Sequence, residues 1–239
     1  MIEEGVLVSG FKSNEIEAHK ALSVRARRRI LDILSSEGPQ DIIELSKKVN
    51  LKTMTLRHHL RMLEHAKLVE TVESSRGVRG RPKRCYRVRS VYLPLGFPKR
   101  QYPLLANELV EEFLSRSGRK GAISIFRGIG ERVAKNQIVY LTAQHPNEKW
   151  NVDFFKKYVI PELERLGCRP EILKDEGREL VMSLKNCIYY ELAKAYPGII
   201  CEGHKAFFET IAKHMGFKAK QETCMAEGDD SCMTVMKKR

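Results

Sequence analysis

The chain has 239 residues, 42% of them hydrophobic and 31% charged, enough apolar material for two cored domains. No run approaches the roughly 18 apolar residues of a membrane helix, and the start, MIEEGVLVSG, has neither the basic residues nor the long apolar stretch of a secretory leader, so a cytoplasmic protein without a membrane partner is expected. The net charge of +13 is unevenly placed: residues 1–100 hold 21 Lys and Arg against 11 Asp and Glu, whereas residues 101–239 hold 22 against 19, so the surface that attracts polyanions belongs to the N-terminal part.

The first predicted helix runs from Ala18 to Leu34, on the helical spacing of Ala21, Leu22, Val24, Ile30, Leu31 and Leu34, and ends at Ser36-Glu37-Gly38-Pro39. A short second helix spans Asp41 to Val49, with Ile42, Leu45 and Val49 on one face and Asn50 as its stop residue. A third is expected over Thr53–Lys67. Leu56, Leu60 and Leu63 face inward there, while Lys52, Thr53, Thr55, Arg57, His58 and Arg61 face elsewhere and are residue types that contact DNA. Leu68–Val72 and Arg84–Val88 read as two strands of a hairpin around a polar, glycine-containing tip. Between Arg76 and Arg89 there are seven basic residues and no acidic one, with Arg79, Arg81, Lys83 and Arg84 at the centre of the run.

Three short helices followed by a basic hairpin describe a winged helix-turn-helix, whose third helix enters the major groove while the wing lies along phosphates. Arg57, His58 and Arg61 are the expected base readers, and the wing the positioning element. The stretch LKTMTLRHHLRMLEHAKLVE resembles the recognition helix and following strand of ArsR-type winged-helix regulators, and RGRPKRCYRV is similar to their wing. That resemblance implies double-stranded DNA as partner.

Four prolines and glycines between Val91 and Pro103 mark a connector. Helices are expected over Leu104–Leu114 and Ile123–Val133. One of them, with Leu105, Leu109, Val110, Phe113 and Leu114 apolar, is expected to pair with a second copy, because one recognition helix covers only a few base pairs. The expected domains are thus 1–90, a winged-helix DNA-binding domain; 91–120, a linker and dimerisation helix; and 121–239, an α+β sensor domain with an antiparallel sheet. In this last part a helix on Phe155, Val159, Leu163 and Leu166 precedes two strands around Asp175-Glu176-Gly177-Arg178. A helix on Phe208, Ile211 and Met215 precedes two more around Glu227-Gly228-Asp229-Asp230, which suggests an internal duplication.

Cys187, Cys201, Cys224 and Cys232 are separated by 13, 22 and 7 residues. Four thiolates complete a zinc or iron–sulfur site, but no pair has the CxxC spacing, so buried core thiols are the alternative. The run KNCIYYELAKAYPGIICEGHKAFFETIAKHMGF followed by ETCMAEGDDSCMTVM resembles the sensor domain of SufR-like repressors of iron–sulfur assembly genes. The resemblance implies an iron–sulfur cluster or zinc on these four cysteines. By its position one turn beyond Cys201, His204 is either a substitute ligand or an ordinary surface or core histidine. Ile188 departs from the proline usual there. The same passage is similar to 4-vinyl-reductase-like sensor domains, which implies instead a small-molecule effector with structural cysteines. Cys85, among wing cations, is a strand residue or a redox switch, and Cys168 has no evident role. An enzyme is the remaining class, yet the chain shows no P-loop, dinucleotide fingerprint, nucleophile elbow or His-Glu metalloprotease pair, so catalytic residues are expected to be none.

Overall fold

The computed structural model describes residues 11–74, 83–89 and 100–238, and the chain divides into two compact units, Met1–Arg100 and Gln101–Arg239. The fold is α+β, with an N-terminal helix-turn-helix and a C-terminal antiparallel sheet carrying helices. No described helix is long and apolar enough to cross a membrane.

In the N-terminal unit the helix expected over Ala18–Leu34 is two helices, α1 (Phe11–Leu22) and α2 (Arg25–Glu37). The break falls at Ser23 and Val24. There the Lys20 carbonyl accepts from the Ser23 hydroxyl at 2.8 Å and the Arg27 guanidinium at 3.2 Å, and Val24 turns extended. Side chains that satisfy a carbonyl at a helix end remove the reason to continue the helix. The apolar spacing continued across the break because both helices bury the same side, Ala18 and Ala21 from α1, Ile30 and Leu34 from α2.

Helix α3 (Ile42–Val49) starts where the Asp41 carboxylate accepts from the Ile43 and Glu44 amides, both at 2.8 Å, and stops at Asn50, whose φ of 55° and ψ of 50° lie in the left-handed region. Asn tolerates that conformation better than most residues. Helix α4 (Thr53–His65) follows, with Leu56, Leu60 and Leu63 at 1% exposure or less. Burying each such side chain contributes about 1.5–3 kcal/mol. Strands β1 (Gln40–Asp41), β2 (Val69–Ser74) and β3 (Lys83–Val88) form a sheet in the order β1-β3-β2, and the β2–β3 register pairs Val72 with Cys85 and Glu70 with Arg87. Cys85 is buried there.

Asp41 gives a stability prediction. Its carboxyl is held below the ordinary value of 3.8 by the Glu44 amide above all, against the opposing effect of burial, with the Ile43 amide and Lys83 adding to the depression. A depressed folded value means the cap contributes fully above the unfolded value and is lost as pH falls through the folded one. Asp41→Ala is therefore expected to cost about 1 kcal/mol at neutral pH. Denaturation midpoints should converge with wild type as the pH falls through the depressed folded value, and a gap undiminished in acid would contradict the cap.

The C-terminal unit begins with α5 (Tyr102–Gln144), which joins the two helices expected over 104–114 and 123–133 into one element broken only at Gly118, where φ is 62° and ψ 179°. The helix expected around Phe155 is three pieces: α6 (Val152–Phe154), a π-helical turn over Phe155–Val159, and α7 (Ile160–Arg165). Pro161 accounts for the widened turn, since it lacks the N–H that would bond four residues back and its ring crowds that carbonyl. Strands β4 (Pro170–Asp175) and β5 (Glu179–Leu184) follow, then α8 (Tyr190–Ala195), α9 (Ile200–His214), β6 (Phe217–Gln221) and β7 (Cys232–Lys238).

The sheet order is β4-β5-β7-β6, all antiparallel, so the two hairpins pair through their second strands. Leu180, Met182 and Leu184 of β5 lie opposite Met236, Thr234 and Cys232 of β7, and all six are buried, in a core shared with Phe208 and Ile211 of α9. Helix α5 crosses α9 closely. An added Cβ at Gly130 would stand 1.8 Å from the Gly203 carbonyl oxygen, and one at Gly203 would stand 2.9 Å from that of Phe126. Arg127 reinforces the crossing by bonding Glu202 at 2.9 Å and Glu209 at 2.6 Å.

Candidate functional site

Two sites emerge, one in each unit. In the first, the buried leucines of α4 leave Lys52, Thr53, Thr55, Arg57, His58 and Arg61 exposed, as the spacing predicts. No side chain caps the start of α4, where Lys52 stands at the N-cap position. Lys83 and Arg84 are exposed on β3, while Arg79 and Arg81 lie outside the described residues.

The structure separates these residues in a way periodicity does not. Arg57, Arg61 and Glu64 of α4 line one groove with Arg84 and Tyr86 of β3 and with Ile42. Glu64 accepts from the Thr71 hydroxyl at 2.7 Å, and Arg84 donates to that hydroxyl at 3.3 Å, so the flank of α4 is tied to the hairpin. Other wing cations are partly neutralised. Arg87 bonds Glu70 at 2.6 Å, Arg89 approaches it at 3.5 Å, and Lys83 lies 3.4 Å from Asp41. Arg57 thus faces the hairpin, a position suited to a phosphate, whereas His58 lies on the outward side of the helix.

In the second unit Cys187, Cys201, Cys224 and Cys232 line a single cavity of about 10 Å³, together with Tyr189, Ala193, Ile200, His204, Gln221 and Ala226. Cys187 follows β5, Cys201 lies in the first turn of α9, Cys224 follows β6 and Cys232 opens β7. The Cys201 and Cys224 sulfurs are 3.5 Å apart. Two thiolates on one tetrahedral zinc stand about 3.8 Å apart, given Zn–S bonds of about 2.3 Å. The loop between Cys224 and Cys232 is fixed by groups that sequence reasoning did not single out. Asp229 accepts from the Cys224 amide at 2.7 Å, and Thr223 donates to the Ser231 carbonyl at 2.6 Å and accepts from the Met233 amide at 2.9 Å. The Met225 amide donates to the Cys232 sulfur at 3.4 Å, and the Tyr189 amide donates to that of Cys187.

Burial pushes the Cys201 thiol up to about 12, with the neighbouring Cys224 adding to it, and pushes Cys232 up to about 11 and Cys187 upward as well. Such a group of thiols stays protonated unless a cation replaces the protons. Burial also holds His204 down to about 4, so its imidazole is neutral and retains a lone pair. The donor chemistry fits a soft cation. Among the described residues no three His, Cys, Asp or Glu side chains surround one metal-sized point. Cys168 is buried, its thiol pushed up to about 11 by that burial, and it does not line the cavity.

Comparison with known proteins places these sites in context. No curated protein matches the chain. Among solved structures, the phenol-responsive sensory domain of the transcription activator PoxR, with phenol, is similar at 14% identity and a TM-score of 0.46, covering 58% of this chain and 75% of that one. A trafficking protein particle complex subunit 3 from Naegleria fowleri, covalently bound to palmitic acid, is similar at 8% identity and a TM-score of 0.42, covering 58% of this chain and 90% of that one. The family model described as bacterial regulatory protein, arsR family, matches residues 25–71, which span α2 to the start of β2. Over residues 25–71 the chain is thus similar to the helix-turn-helix of bacterial regulatory proteins of the arsR family.

Proposed function

We propose that the chain is a DNA-binding transcriptional regulator, working as a homodimer, whose operator affinity is set by one thiophilic metal ion held by Cys187, Cys201, Cys224 and Cys232. The observation that carries the metal reading is the gathering of four cysteines, spread over 46 positions of sequence, around one cavity. Its volume of about 10 Å³ is room for about one water-sized atom. Organic ligands occupy pockets of about 300–1,000 Å³, and a four-iron cluster with its sulfides needs several times the room of a single ion. Zinc supplies a redox-inert tie among the residues after β5, the start of α9 and the two ends of the β6–β7 loop.

Support for a homodimer comes from α5. Val110 is buried and Phe113 and Leu114 pack on the core, but Leu104 and Leu105 are each 56% exposed and Leu109 is 47% exposed. Those three leucines form the apolar face left over for a second copy, which would bring two recognition helices to two half-sites.

The test uses the full chain purified anaerobically. A colourless protein with about one zinc per chain is expected, and removing the zinc with a chelator should change affinity for a selected operator roughly tenfold, within the usual range of allosteric coupling, with recovery on adding zinc. Operator affinity indifferent to zinc would overturn metal control. A brown protein containing sulfide would replace the ion with a cluster, and equal affinity for all duplexes would overturn the regulator itself.

A further inference from the structure

Helix α4 carries one exposed residue that the DNA-contact chemistry of its neighbours leaves out. Leu56, Leu60 and Leu63 define the inward side of this helix. At 100° per residue the line directly opposite runs through Met54, His58, Arg61 and His65. Met54 is 74% exposed, the largest exposed fraction among the described large apolar side chains. It lies in the first turn of α4, and the N-terminal residues of a recognition helix are the ones that meet base edges.

Its surroundings specify the partner. Lys52 precedes Met54, Thr53 and Thr55 flank it, Arg61 follows on the same side and Arg57 on the adjoining one, and all are exposed. An apolar protein surface would leave these cations unpaired. A DNA major groove offers them phosphates on both rims and offers an apolar side chain one complementary feature, the C5-methyl group of thymine.

We propose that Met54 is a specificity-determining residue that packs on a thymine methyl in each half-site, while Arg57 and Arg84 hold the adjoining phosphates. The proposal rests on the assignment of α4 as the DNA-reading helix. Being thioether and unbranched, Met54 adapts to a methyl without needing a hydrogen-bond partner.

The experiment selects duplexes from a random library with the full chain, then replaces each thymine of the selected site in turn by deoxyuridine, which removes the methyl alone. One position per half-site should weaken wild-type binding by about fourfold, the worth of burying one methyl group. Met54→Ala should bind the thymine and deoxyuridine duplexes equally at that position. Met54→Gln, selected afresh, should shift the preference there toward adenine, whose N6 and N7 suit an amide. Because Met54 is exposed, neither variant threatens the fold. No methyl-dependent position, or a methyl dependence that persists in Met54→Ala, would overturn the role of Met54 and leave DNA reading by α4 standing. Failure of the full chain to enrich any sequence would overturn both.

Discussion

Replacing Cys201 by serine is expected to lower the zinc affinity of the full chain by more than about a hundredfold. Structural zinc sites contribute apparent binding energies of about 10–16 kcal/mol, so one of four thiolates accounts for about 3 kcal/mol. Serine keeps the volume but offers a harder oxygen that zinc prefers less. Cys201 is the position to test because its sulfur already stands 3.5 Å from that of Cys224 and because it lines the cavity from the first turn of α9. Competition against a chromophoric chelator measures the loss directly. Cys168→Ser is the control, a buried thiol in the same unit that does not line the cavity, and it should keep one zinc per chain. Wild-type zinc affinity in Cys201→Ser would remove Cys201 from the ligand set.

Gly130→Ala is expected to destabilise the C-terminal unit by about 3 kcal/mol. Two effects of opposite sign meet at this position. Alanine is the better helix former by about 1 kcal/mol. Against that, its Cβ would sit 1.8 Å from the Gly203 carbonyl oxygen, a contact that only separation of α5 from α9 can relieve. The carbonyl is backbone and cannot rotate aside, and Arg127 holds the crossing from the side through Glu202 and Glu209. The clash therefore outweighs the propensity gain. Two residues earlier on the same helix, a Cβ added at Gly128 would have nothing within 4 Å, so Gly128→Ala meets only the favourable effect and should stabilise by up to about 1 kcal/mol. Urea midpoints of the two variants should move in opposite directions, and equal movement would contradict the close crossing.

Much of the N-terminal unit was legible in the residues themselves. Leu56, Leu60 and Leu63 announce the buried side of α4, Asp41 and Asn50 punctuate α3, and two strand-like runs on either side of a polar, glycine-containing tip place β2 and β3, because each of these signals is carried by residues close to one another in the chain. The same locality explains the errors. Apolar spacing ran unbroken through Ser23 because α1 and α2 bury the same side, and nothing local in the apolar pattern reports a carbonyl satisfied by Arg27 seven residues on. The widened turn before Pro161 was marked only by the proline.

By itself the sequence determined a basic helix-turn-helix half, a second half of two helix-and-hairpin segments, and a set of four cysteines with ligand chemistry. Only the tertiary structure decided whether those cysteines meet. Their spacings of 13, 22 and 7 residues contain no short-range pair, so their convergence depends on the pairing of β5 with β7, which sets Leu184 opposite Cys232, and on the crossing that seats the start of α9. It also decided that Arg57 turns toward Arg84 and leaves Met54 and His58 on the outer line of α4. Periodicity reports which side of an element is buried, because that is a property of neighbours along the chain. Which distant residue lies across from that side is set by strand register and helix crossing, and no local pattern encodes it.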